Sequence, residues 1–228
     1  MHKLEVIVTS ADEAIAAQKG GADRLELVRD LTSGGLTPAW ETARAVMESV
    51  SIPVRVMLRE NASMLVANAA ESVALREAAA RLRDLPIDGL VLGWIDSAAD
   101  VDLASLGSVL NEAPMCKVTF HRAFEHLRDP FAGLKLLKGF PQVDKILTCG
   151  GTGSWPERKN RLKSWRVAAA PEIGILVGGG LSEMEVAELM ADADFPEVHV
   201  GRAARTPAEN DGAIDPAKIA LLKTRRGG

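Results

Sequence analysis

The sequence predicts an α/β fold, a TIM (β/α)8 barrel built as a single domain over residues 1–228. Three observations predict it. Short apolar runs alternate with Ala/Leu/Glu-rich helical stretches eight times, at intervals of roughly 20 to 30 residues, the order expected of parallel strands joined by crossover helices. The hairpin dipeptide Asn-Gly is absent, which fits crossovers rather than tight turns. Several strands carry polar residues at every second position. An open sheet covered on both faces has near-continuous apolar strands instead, so the doubly wound open sheet is the rival architecture and the barrel the better fit.

The first strand is LEVIVT (4–9), followed by the helix ADEAIAAQKG. RLELV (24–28) leads through TSGGLTP into a helix from Pro38, and PVRVMLR (53–59) precedes a long helical pattern near Ala69–Leu82. GLVLGW (89–94) is followed by a helix from about Asp102. KVTFH (117–121) is followed by one from about Asp129, and KILTC (145–149) by GGTGSWP and a helix near Arg158–Ala169. GILVG (174–178) leads through glycines into LSEMEVAELMA, and EVHVG (197–201) through an Arg-rich loop into a last helix from about Pro216. No linker or low-complexity segment divides these units.

Side chains alternate between the two faces of a strand. One set reads Leu4, Val6, Val8, Leu25, Leu27, Val54, Val56, Leu58, Val118, Phe120, Val198 and Val200 and belongs against the helices. The other reads Glu5, Ile7, Thr9; Arg24, Glu26, Val28; Arg55, Met57, Arg59; Lys117, Thr119, His121; Glu197, His199, Gly201 and belongs in the lumen. Isolated buried charges are costly, so these acids and bases pair with one another or meet a ligand.

Composition narrows the function. The net charge is −4 and there is no tyrosine, which speaks against a nucleic-acid surface. The basic tail KTRRGG reads as a solvated terminus. No apolar run approaches the ~20 residues needed to span a bilayer, and no leader-like segment precedes the first strand. Two cysteines cannot build a disulfide framework, so a reducing cytosol is the expected compartment.

Function on a TIM barrel sits at the C-terminal ends of the strands. The last inward residues there are Thr9, Glu26 or Val28, Arg59, Trp94, His121, Cys149, Gly178 and Gly201. Glu26, Arg59, His121 and Arg122 are the candidate catalytic residues. A histidine exchanges protons near neutral pH, a carboxylate orients it or acts as base, and an arginine holds an anion in a bidentate fork. A purely structural Glu–Arg pair beside a satisfied histidine is the competing reading. Gly178, Gly179, Gly180, Gly201 and Arg202 are candidates for anion binding, since the loops after the seventh and eighth strands hold phosphate in many barrels. Cys149 reads as a small buried residue rather than a nucleophile, and Trp94 as core or rim packing. His121 and His126 lack a zinc-ligand spacing, and the residues alone name no metal. The glycine runs lack the acidic residue that completes a nicotinamide fingerprint.

Several segments together resemble the CutC family of copper homeostasis proteins: KLEV, GGADRLEL, SGGLTP, IPVRVMLR, DGLVLG, VTFHRAFE with RDP after it, LTCGG, VGGGL and EVH. Their order and spacing match over nearly the whole chain. The resemblance implies a TIM barrel, a cytoplasmic homodimer or larger homo-oligomer, and copper(I) binding or handling. The sequence departs from the family pattern at three places. Ile7 and Thr9 stand where members carry Cys and Asp, Val28 stands where many carry a second Cys, and Glu60-Asn61-Ala62 replaces a Pro-Arg-Gly loop. Thiolates suit copper(I), and these two are missing. An alternative function is acid/base catalysis on a small anionic, sugar- or phosphate-like metabolite at the barrel mouth. A third is a non-catalytic scaffold, which would show an exposed apolar patch instead of a polar lumen.

Overall fold

A computed structural model of the chain describes residues 2–224. Most of the basic tail therefore lies outside the described residues. Eight parallel strands close into a barrel in sequence order: β1 (Lys3–Val8), β2 (Arg24–Leu27), β3 (Val54–Met57), β4 (Gly89–Leu92), β5 (Lys117–Phe120), β6 (Val143–Thr148), β7 (Gly174–Val177) and β8 (Glu197–Val200). Closure excludes the open-sheet rival. The helices between and after them are α1 (Ala11–Lys19), α2 (Trp40–Ser49), α3 (Ala69–Leu82), α4 (Leu103–Glu112), α5 (Pro130–Leu137), α6 (Trp155–Ala169), α7 (Glu183–Ala191) and α8 (Pro216–Thr224). Among the described residues, no helix is long and apolar enough to cross a membrane.

Local chemistry sets the helix starts. The side chains of Ser10, Asn68, Asp102 and Ser182 each accept the backbone N–H three residues on, and Asp129 does the same two and three residues on, satisfying donors with no partner in the first turn. Helix α6 begins at Trp155, ahead of the expected Arg158, because the Glu157 carboxylate reaches back to the Ser154 N–H at 2.8 Å and closes a capping box. Helix α2 begins at Trp40, two residues after the expected Pro38. Between β8 and α8 a small antiparallel hairpin pairs β9 (Arg205–Thr206) with β10 (Ala213–Ile214). Strands of two residues carry no readable periodicity, so sequence patterning missed it.

The two strand faces separate as their alternation requires. Leu4, Val6, Val8, Leu25, Leu27, Val56, Val118, Phe120 and Val198 are buried in one continuous apolar core between sheet and helices. The lumen has two storeys. Toward the strand N-termini it is a charge network. Arg24 is bonded to Glu5 and lies 2.8 Å from Glu197, which also takes Lys145 at 2.6 Å. Arg55, 1% exposed, binds Asp88 at 2.9 Å, Asp144 through two bonds of 2.7 Å, and the Thr119 hydroxyl at 2.7 Å. Above this lies a small apolar plug of Val28, Met57 and Val91, with Ile7 and Leu31 against it. Register at the closing seam puts Glu5 opposite both Arg24 on β2 and His199 on β8.

Candidate functional site

The C-terminal mouth holds a cavity of about 550 Å³. Glu26, Arg59, His121 and Arg122 all line it, so the four residues picked out on different strands and turns share one wall. Gly179, Gly180, Gly201 and Arg202 line it as well. Gly178 does not. Its lack of a side chain serves packing instead, since a Cβ there would lie 2.6 Å from the His199 Cβ and 2.9 Å from Leu147. Thr9, Trp94 and Cys149 are likewise outside the wall. Trp94 is 1% exposed and belongs to the apolar core, while the Thr9 hydroxyl is tied to Glu13.

His121 follows β5 and caps a short 3-10 turn, Arg122–His126. Its Nδ1 accepts the Ala123 N–H at 3.1 Å. The proton of the neutral ring therefore sits on Nε2, which is buried and has no partner among the described residues. Burial, and then the charges of Arg59 and Arg122, hold this imidazole down to about 3. At neutral pH it is an uncharged donor on a residue that lines the cavity. Gly93 gives it room, because a Cβ there would come within 2.9 Å of Nδ1.

Arg59 is 5% exposed. Among the described residues it forms no ion pair. Its guanidinium touches only the carbonyls of Gly34, Gly35 and Ala62, and its Nε has no partner. Burial alone pushes its pKa down, as expected for a cation without a counter-ion. Arg122 is different. Its guanidinium is held by Glu125 at 2.9 and 3.1 Å, so it presents a neutralised pair to the mouth. Glu125 in turn accepts the Cys149 N–H and the Thr148 hydroxyl, which fixes the turn after β6.

Two wall residues, Glu26 and His199, form with Glu5 behind them a cluster that only interstrand register reveals. His199 Nδ1 lies 2.8 Å from Glu5 Oε1 and 3.2 Å from Glu26 Oε2. Glu5 is buried, and although desolvation opposes ionisation, Arg24 and His199 hold its carboxyl well below the usual range. Glu26 is pushed the other way, to about 7, by burial with no arginine bonded to it and with Glu5 adding repulsion. Burial disfavours charge on His199, but Glu26 and Glu5 outweigh it and raise its pKa. Glu26 was singled out in the sequence. Glu5 and His199 were visible only as members of the lumen-facing set.

Above the cluster, the turn after β7 places Gly179 and Gly180 at φ of 111° and 75°, where a side chain is strained. A Cβ on Gly179 would also lie 2.8 Å from the Arg122 Nε. Arg205, in the loop after β8, lines the cavity too but is paired with Glu13 at 2.6 and 2.9 Å. Sequence reading missed it because its partner lies 192 residues away.

A copper(I) ion does not suit these donors. Cys149 is buried with its thiol pushed up by desolvation and by Glu125, and its Sγ is bonded to the Gly151 carbonyl at 3.5 Å. Cys116 precedes β5, at the opposite end of the barrel, and its thiol is also raised. The wall offers two thioethers, Met57 and Met64, but no thiolate. Among the described residues, only Glu5, Glu26 and His199 bring three potential ligand atoms within 4.8 Å of one another. Two are hard carboxylates, and one of those is already taken by Arg24.

The profile of the CutC family matches residues 2–204 of this chain. A family protein CutC from Xanthomonas axonopodis pv. citri is 36% identical over 196 residues, covering 86% of this chain and 81% of its own. A crystal structure described as a copper homeostasis protein CutC from Streptococcus agalactiae superposes with a TM-score of 0.80 at 23% identity, over 88% of this chain and 98% of that one. A phosphoribosyl anthranilate isomerase from Thermococcus kodakaraensis shares the barrel, with a TM-score of 0.60 at 19% identity and full coverage of both chains.

Proposed function

The chain belongs to the CutC family, and on that premise we propose that it is a copper-homeostasis-type protein that works through a small anionic ligand bound at the barrel mouth. One observation carries the reading. Arg59 is a buried cation facing a cavity, and among the described residues no carboxylate lies within ion-pair distance of it. An uncompensated buried charge is destabilising, and an anion in the cavity would compensate it. Gly179 and Gly180 of the turn after β7 line the same space, and Arg202 brings a second guanidinium to it. The sulfur-poor wall supports a ligand role over direct capture of copper(I). Family resemblance extends the reading to a cytoplasmic homodimer or larger assembly, which light scattering tests.

Thermal unfolding with inorganic phosphate tests the pocket. A ligand at a hundred times its Kd stabilises a fold by about 2.7 kcal/mol, and this gain should disappear in Arg59→Met. No gain in the wild type, or equal gains in both proteins, would remove the anion reading. An anaerobic copper(I) titration tests the other half. A stoichiometric high-affinity complex that is lost in Cys149→Ser would restore direct copper binding.

A further inference from the structure

We infer that His199 is the proton-transfer group of the mouth, backed by Glu5, and that its ligand is a small oxyanion-bearing carbonyl compound whose neighbouring C–H bond is broken and remade there. The inference rests on the anion pocket proposed above and adds a reaction to it.

Three features of the wall carry it. Both carboxylates of the cluster meet His199 on its Nδ1 edge, at 2.8 Å for Glu5 and 3.2 Å for Glu26. The ring is nearly buried yet lines the cavity, so Nε2 is the nitrogen left to exchange a proton with the cavity contents. A carboxylate behind an imidazole fixes its orientation and raises its basicity, and Arg24 keeps Glu5 in the ionised form that does so. The groups facing His199 are thus Glu5, Glu26 and, behind them, Arg24.

The second feature is His121. It presents an uncharged Nε2–H without a partner. A neutral donor of this kind receives the oxygen of a carbonyl as negative charge develops on it. The third is Arg59, whose unpaired guanidinium holds the anionic end of the ligand. Together they supply a base, an acceptor of developing charge and an anchor around one cavity. In the step, the proton of the carbon beside the carbonyl passes to His199 Nε2. The C–H electron pair becomes the C=C bond of an enolate, and the carbonyl π pair moves to the oxygen beside His121. Return of the proton from His199 Nε2 to the same carbon restores the carbonyl and gives exchange. Where that carbon carries a hydroxyl, passage of the hydroxyl proton to the enolate oxygen and return of the His199 proton to the former carbonyl carbon give the isomeric carbonyl compound, with atoms and electrons balanced and no co-reactant.

The test uses the full chain and 2-phosphoglycolate, which combines a phosphate with a planar carboxylate resembling an enolate. Calorimetry should show it binding at least about 10²-fold tighter than inorganic phosphate or glycolate, the behaviour of a transition-state mimic. His199→Gln should lose that advantage while keeping phosphate affinity. Nitrogen NMR of the histidines in the wild-type chain gives a second readout that does not depend on a variant folding. Above the free His199 pKa, found by titration in the same spectra, its Nε2 should change from unprotonated to protonated on binding 2-phosphoglycolate. His121 should carry its proton on Nε2 throughout. If 2-phosphoglycolate binds no tighter than phosphate, or His199 Nε2 does not change, the reaction is wrong while the anion pocket stands. If neither compound binds, the pocket reading falls first.

Discussion

Replacing Glu26 by glutamine should stabilise the protein at alkaline pH and not at acid pH. Glu26 is 1% exposed, and its Oε2 accepts no hydrogen bond. Burial moves its carboxyl from an ordinary 4.5 to about 7. The folded state therefore holds this proton more tightly than the unfolded chain. The associated stability is fully present below pH 4.5 and is lost as pH rises through about 7. Each tenfold change in proton affinity is worth about 1.36 kcal/mol, so keeping the folded carboxyl ionised costs about 3 kcal/mol. The amide removes that cost but also removes the negative charge that supports a protonated His199, so a net gain of about 1–3 kcal/mol is expected above pH 7. Urea unfolding of wild type and Glu26→Gln at pH 5 and pH 8, compared at equal m-values, measures it. A variant destabilised equally at both pH values would refute the account of Glu26 as an acid held against its preference.

Arg55→Met should lose about 3 kcal/mol or more of stability by chemical denaturation, because it strands Asp88 and Asp144, which the arginine now bridges. Gly179→Ala should cost about 1–2 kcal/mol, from a φ of 111° that an alanine resists, and should weaken phosphate binding by displacing Arg122; unchanged binding would show that the turn is scaffold only. Gly178→Ala should leave phosphate affinity intact but shift the NMR signals of His199, since the new methyl would meet the His199 Cβ within 2.6 Å. His121 should remain uncharged from pH 5 to pH 9 in the same spectra, because its pKa is held down to about 3.

The barrel was legible because its signals are local. Strand periodicity, helix caps and the spacing between units need no knowledge of contacts, and they place all eight strands. The lumen set follows from alternation alone, which is why Arg55 and Thr119, bonded in the structure, fall in one set by sequence. Glu26, Arg59 and His121 were legible for the same reason, as polar residues at strand ends. His199 and Glu5 were in the same lumen set, but nothing local distinguishes them from Arg24 or Glu197. Their pairing depends on the register between the first and last strands, which no stretch of sequence encodes. Which cations are free was equally hidden. Arg59, Arg122 and Arg205 look alike in sequence, yet Glu125 and Glu13 neutralise the last two and leave the first unpaired.

The seam between β1 and β8 has a consequence for the life of the chain. Glu5 leaves the ribosome 194 residues before His199. Until the final strand docks, the first one has an open edge and the imidazole has no carboxylate behind it. A fragment stopped before residue 197 can hold Arg59 and His121 but lacks His199. A circular permutant that joins the two ends and opens the ring elsewhere would make that last contact the first.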